Sequence, residues 1–218
     1  MTDPRRHRFP DPLDRCPARA PDGTPIEGTV FLSQVIDQDN FDVGAFTYAS
    51  DFEAPQDWRA RLAPYLFPGA LDRLVIGKFC QIAHGVRFIT AGANHAMDGV
   101  TTYPFPIFDP TEISSYQPDT RDTVIGHDVW LGMGALICPG AIVGNGVIIG
   151  AGAVVRGRIP DYAIVTGNPA QVVRFRFDAE TVETLLQLAW WDWPIERIAR
   201  ARSALLSANI EVLKTLAP

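Results

Sequence analysis

The chain has 218 residues, of which 47% are hydrophobic and 20% charged, and its 19 basic and 25 acidic side chains give a formal charge of −6. That length supports one large domain, or a domain with a small appendage, around a substantial core. The acidic balance argues against a broad nucleic-acid surface, while leaving room for a local basic patch that meets a phosphorylated co-substrate.

Residues 1–28, opening MTDPRRHRFPDPLDR, are rich in Pro, Asp and Arg and predict an irregular arm. The basic residues there have no apolar run behind them, so they do not form a secretory signal. The most apolar stretch, Val143 to Val155, contains Gly and Ala throughout. It falls well short of the roughly 20 residues a membrane helix needs. Cys16, Cys80 and Cys138 are scattered without CxxC spacing and read as reduced thiols, so a cytoplasmic protein is expected.

Residues 29–176 are Gly-rich and predict a mainly β region. Its strongest signal starts at Ile125 and steps by six through Leu131, Ile137, Val143, Ile149 and Val155. Two residues before each stand Thr123, Val129, Ala135, Ala141, Val147 and Ala153, all small or β-branched. Just after them come Gly126, Gly132, Cys138, Gly144, Gly150 and Arg156. An earlier set, Ile76, Ile82 and Phe88, keeps the same step, with Leu74, Cys80 and Val86 two before; Phe41 and Val43-Gly44 look like another hexad.

A hexapeptide repeat reads physically as a parallel β-helix, with one short strand and a turn per hexad and three hexads per triangular coil. Residues two apart in a strand face the same way, so the aliphatic and the small residue before it both point inside. Each buried aliphatic contributes roughly 1.5–3 kcal/mol, but only once a neighbouring coil covers it. Glycines on the flat faces would let another backbone or a ligand come close.

The repeat fails over about 89–122, ITAGANHAMDGVTTYPFPIFDPTEISSYQPDTRD, which is dense in Pro, Gly and Asp. A loop of this length is usually functional or disordered, and Tyr103, Phe105, Phe108 and Tyr116 make it too aromatic for simple disorder. It is expected to leave the helix, pack on something and return. Beyond it, residues 177–218 change period. Val182, Leu185, Leu186 and Ala189, then Ile195, Ile198, Ala199 and Leu205, recur at helical spacing. Asp178 suits an N-cap and Pro194 the first turn of a second helix, with Trp190, Trp191 and Trp193 at the hinge.

The chain has four histidines. His7 lies in the arm. His84 and His127 each sit two residues after an inward aliphatic and are expected to be solvent-facing corners. His95 lies in the ejected loop beside Asn94, Met97, Asp98 and Gly99. That makes it a candidate acid–base group, and spacing takes it no further.

Four segments occur in order: IGKFCQIAHGVRFITAGANHAMDGVTTYPF, VIGHDVWLGMGALICPGAIVGNGVIIGAGAVV, TGNPAQVVRFRF and LLQLAWWDWPIERI. Over about Pro25 to Leu205 the chain resembles the xenobiotic acetyltransferase family of hexapeptide proteins, which includes chloramphenicol and streptogramin (virginiamycin) O-acetyltransferases. The NH-x-MDG and WWDWPI elements carry the specificity of that likeness; the hexads alone indicate only the wider superfamily.

The resemblance implies a left-handed β-helix with an ejected loop and a C-terminal α-helical segment, assembled as a homotrimer with active sites between subunits. It implies acetyl-CoA as co-substrate, no metal, a small-molecule hydroxyl as acceptor, and no nucleic acid or membrane as partner. It makes His95 the general base. Trp130 and Tyr48 fall where the family contacts the acceptor, and Tyr103, Pro104 and Phe105 are candidates for an apolar wall. For Trp130 a packing role stays equally open. Gly167, Asn168 and Pro169 match the segment that meets the pantetheine arm, and Gly150 is placed with them. Arg156, Arg158, Arg174 and Arg176 are candidates for CoA phosphates by charge and position. Asp98 or a backbone carbonyl would fix the His95 ring.

The sequence also departs from the family: ISSYQPDT carries less charge than usual, Cys138 replaces a frequent Gly, and the arm is long. The acceptor therefore stays open between an antibiotic, a sugar and a small metabolite. A zinc lyase on this fold would need convergent histidines, which the spacing of His84, His95 and His127 does not offer. A non-catalytic scaffold is the remaining alternative, and the complete NH-x-MDG element argues against it.

Overall fold

The computed structural model describes residues 9–116 and 118–218, so His7 and the first eight positions of the expected arm lie outside the described residues. Short, mainly parallel strands form three sheets of seven, five and three strands. The first strand, β1 (Thr29–Phe31), leads into an incomplete coil of β2 (Phe41–Val43) and β3 (Tyr48–Ser50). After the short helix α1 (Trp58–Leu62) comes the coil of β4 (Leu74–Ile76), β5 (Gln81–Ile82) and β6 (Arg87–Phe88). Beyond the ejected loop follow β7 (Thr123–Ile125), β8 (Trp130–Leu131) and β9 (Leu136–Ile137), then β10 (Ile142–Val143), β11 (Ile148–Ile149) and β12 (Val154–Val155). A last partial coil has β13 (Arg158–Ile159) and β14 (Ala163–Thr166), and β15 (Gln171–Phe175) folds back beside it.

The register confirms three hexads per coil. Ile76 pairs with Ile125, Ile125 with Val143, and Leu131 with both Ile82 and Ile149. Both predicted inward columns are sealed: from Thr123 to Val155 no member is more than 2% exposed. Val143 pairs with Ile159, which shows that the turn between β12 and β13 is two residues shorter than the hexad step. Both outer strands of the longest sheet run antiparallel, β1 against β3 and β15 against β14. They occupy the edges that parallel coils would leave open.

At two of the repeat glycines the backbone that comes close belongs to the same chain. A Cβ on Gly126 would lie 2.7 Å from the Gly144 carbonyl carbon, and one on Gly132 2.7 Å from the Ala151 nitrogen. The close approach is to the next coil of the same chain, and no outside backbone is needed to explain these residues.

Helix α1 falls inside the region read as mainly β. Asp57 caps it by accepting from the Ala60 N–H at 2.9 Å, and Trp58 and Leu62 are buried against the coils. The C-terminal part contains α2 (Ala179–Leu188), α3 (Ile195–Leu206) and α4 (Ile210–Leu216). Asp178 caps α2 as expected, while Pro194 is the residue before α3. The buried face of α3 is Ile198, Ala201 and Ala204; Ala199 is exposed, one position off the expected stripe. These helices cover an aromatic corner of the coils, where Phe79 meets Trp190 at 4.8 Å between ring centroids and Tyr162 joins the helical core. Among the described residues, no helix is long and apolar enough to cross a membrane.

Candidate active site

The ejected loop leaves the coils after Phe88 and is tied down at once. The buried Asp72 carboxylate accepts the Ala91 N–H at 2.7 Å, which opens a single 3-10 turn over Ala91–Ala93. Asn94 follows in extended conformation, and His95 comes next. The loop thus lies against the segment between α1 and β4, and together they line an open cleft of about 480 Å³. His95 and Asn94 line it with Pro104, Ile107, Ile113 and Tyr116.

His95 Nδ1 lies 2.9 Å from the Thr102 carbonyl oxygen. A carbonyl can only accept, so Nδ1 carries a proton here and Nε2 is the nitrogen left to act as a base. Of the two groups considered for fixing the ring, the backbone carbonyl does so and Asp98 is exposed. Tyr103 packs against Phe105 and Phe108 at centroid distances of 4.6 and 5.5 Å. All three rings are exposed in the isolated chain, so the loop packs through its backbone and Pro104 more than through its aromatics.

Tyr48 and Trp130 do not line this cavity. They lie on the seven-stranded sheet, each in register with Gln81, whereas the loop departs from the three-stranded sheet. Trp130 is 51% exposed on the outer surface of β8, so it is not a packing aromatic within its own chain. Gly167, Asn168 and Pro169 form the exposed turn between β14 and β15. The Gly167 carbonyl accepts the Val154 N–H at 2.9 Å, placing the turn over β12. Gly150 sits under Thr166, whose methyl carbon would be 2.7 Å from any Cβ there. Arg156, Arg158 and Arg174 are exposed. Arg176 instead turns inward, donating to the Gly146 carbonyl at 2.7 Å and pairing with Asp128 at 3.5 Å.

Neither remaining histidine is a free corner. His84 Nδ1 meets the Asp51 carboxylate at 2.8 Å, and Arg61 grips the same carboxylate through two contacts of 2.7 and 3.0 Å. The Arg61 hydrogen bond first, helped by the Glu53 N–H and by His84, holds the Asp51 carboxyl far below the ordinary range against its burial. His127 Nδ1 accepts the Lys78 N–H at 2.8 Å, and its ring stacks on Trp191 at 5.1 Å. Burial pushes the His127 value down. Periodicity could place these residues at turns but could not show that neighbouring coils and insertions supply partners there. Among the described residues, no group of three His, Cys, Asp or Glu side chains is gathered as a metal site.

Parallel hexad coils interrupted by one histidine-bearing loop define a hexapeptide-repeat transferase, and the bacterial transferase hexapeptide (six repeats) family matches residues 122–157. A chloramphenicol acetyltransferase from Agrobacterium fabrum is 39% identical over 198 residues, covering 87% of this chain and 93% of that protein. A virginiamycin A acetyltransferase from Staphylococcus aureus is 36% identical over 87% of this chain and 89% of its own length. A probable macrolide acetyltransferase from Lysinibacillus sphaericus is 50% identical over 132 residues, which are 58% of this chain and 73% of that one. The chain belongs to this family of hexapeptide-repeat acetyltransferases, and its coil is their left-handed β-helix.

Proposed function

We propose that this acetyltransferase moves the acetyl group of acetyl-CoA to a hydroxyl of a small antibiotic-like molecule, of the chloramphenicol or streptogramin kind, with His95 as general base. The observation that carries the reading is the His95–Thr102 hydrogen bond, which takes up Nδ1 of a histidine lining a cavity shared by Pro104, Ile107 and Ile113 with Asn94 and Ser114. The names of the relatives point the same way. An apolar wall suits such an acceptor better than a sugar.

In the proposed reaction, Nε2 takes the hydroxyl proton as the oxygen attacks the acetyl carbon. The C–S bond then breaks, and the imidazolium returns its proton to the departing CoA thiolate. A base so placed contributes about 10²–10⁴-fold. Backbone N–H groups would hold the developing oxyanion. The thioester is already activated, so no acyl-enzyme is required. Gly150 and the Gly167–Pro169 turn would border the pantetheine arm, and the exposed Arg156 and Arg174 would meet CoA phosphates.

The working unit is a homotrimer with sites between subunits. What supports this is the separation of His95 from Tyr48 and Trp130 within one chain, together with the exposed Tyr103, Phe105 and Phe108 around the loop. The test is His95→Ala, assayed by thiol release with chloramphenicol, a streptogramin, a macrolide and maltose. Turnover of the preferred acceptor should fall at least about a hundredfold with CoA binding intact. Near-normal turnover would remove the base assignment, and preference for maltose would move the acceptor to sugars.

A further inference from the structure

Two hydrogen bonds flank His95, and both come from the return limb of its own loop. On one side, Asn94 Nδ2 donates to the Asp119 carbonyl at 2.8 Å. On the other, the Ala96 N–H donates to the Tyr116 hydroxyl oxygen at 3.1 Å. The His95 ring itself donates to Thr102. The histidine is thus held at the residue before it, at its ring and at the residue after it.

We infer that Tyr116 is a positioning residue for His95, an inference that rests on His95 being the base. Met97 and Val100, beyond Ala96, are exposed, so burial of their side chains does not fix the chain there. The Tyr116 hydroxyl is the acceptor the half-buried Ala96 N–H finds among the described residues, and that bond ties the chain after His95 to the return limb. Tyr116 is itself aimed by the 3-10 turn Ile113–Ser115, whose C-terminal neighbour it is, and it lines the same cavity as His95. The limb that supplies it also supplies the Asp119 carbonyl that accepts from Asn94. In this chain that limb acts as a clamp on the base.

Proton transfer depends steeply on distance, and a displacement of about 1 Å can cost about a hundredfold in rate. Removing one of three tethers should therefore lower turnover by about tenfold while leaving the CoA site untouched. The test is Tyr116→Phe, which keeps the ring and deletes the acceptor oxygen, beside Tyr116→Leu and His95→Ala. Steady-state kinetics would use acetyl-CoA and the best acceptor of the panel above. Nitrogen-15 shifts of the His95 ring would be read without substrate. The expected result is a kcat reduced about tenfold in both Tyr116 variants, an unchanged KM for acetyl-CoA, and a His95 ring that no longer holds one tautomer. A Tyr116→Phe enzyme within twofold of the parent, with the same ring shifts, overturns the clamp. So does a defect confined to Tyr116→Leu, which would mean that the ring packs and the hydroxyl does nothing. If His95→Ala is itself active, it is the base assignment that fails, whatever the ring shifts show.

Discussion

The Lys78 backbone N–H donates to His127 Nδ1 across 2.8 Å between neighbouring coils. The same pattern continues along that corner. The His127 N–H donates to Asn145 Oδ1 at 2.8 Å, and the Asn145 N–H to Asp161 Oδ1 at 2.6 Å. Each coil thus pairs a backbone donor of its neighbour with a turn side chain. Protonating His127 would turn its acceptor into a donor facing another donor, and burial already pushes its value below the ordinary one.

The pH dependence follows from that direction. As pH falls through about 6.5, the unfolded chain takes up the His127 proton while the folded chain resists. This contribution to stability is complete above that pH and declines below it. Urea midpoints at pH 7.5 and 5.5 should show the loss in the parent and a smaller loss in His127→Asn, which keeps an acceptor as Asn145 does. His127→Ala should cost about 1–3 kcal/mol at pH 7.5 by leaving the Lys78 N–H unpaired. An identical pH response in parent and His127→Asn would refute the ladder as its source.

Asp51 behaves in the opposite sense. Its carboxyl value is held down by Arg61 and, more weakly, by Glu53 N–H and His84. Its stabilisation is therefore present above the ordinary carboxylate value and is lost as pH falls toward its lowered one. Asp51→Ala leaves Arg61 and His84 without a shared partner between α1 and β5. A loss of about 3 kcal/mol is expected at neutral pH, from chemical denaturation. A loss below about 1 kcal/mol, the range of exposed pairs, would show that the network does not pin the insertion.

Glycines at two kinds of position should respond differently to alanine. Gly126→Ala puts its Cβ within 2.8 Å of the Asn145 nitrogen and oxygen atoms, so the coils must separate. Gly134 has φ +67° but nothing within 4 Å, so alanine there meets only backbone strain. Overpacking costs about 1–3 kcal/mol or more, and a left-handed alanine about 1–2 kcal/mol. Thermal melts should place Gly126→Ala below Gly134→Ala, and the reverse order would contradict the stacking account.

What the sequence reveals follows the same division. Ile125 to Val155 declare the coil because every coil repeats the same burial at the same interval. His95 stands out because it lies where that interval fails. Helix α1 is only five residues long, and Trp58 and Leu62 hold it by tertiary burial, which leaves no periodic trace. The corner ladder is equally silent. Lys78 and His127 meet across the whole ejected loop, and the shortened last turn breaks the step between Asn145 and Asp161. The neighbours of Trp130 are hidden for another reason, since half of its surface is left uncovered by the described residues.

That exposed surface gives the decisive test of a shared site. If each site takes His95 from one subunit and Trp130 from the next, His95→Ala and Trp130→Ala chains damage opposite halves of it. Co-refolded in equal amounts, they form mixed trimers in which about one interface in four pairs an intact His95 with an intact Trp130. Activity at low acceptor concentration should then rise to about a quarter of the parent value, well above either variant alone. If both residues act within one chain, every chain stays defective and mixing restores nothing. Phe105→Ser/Phe108→Ser chains extend the test by removing exposed loop aromatics. They should dissociate at lower dilution in sedimentation, because the rings around His95 would be covered only by a neighbouring subunit.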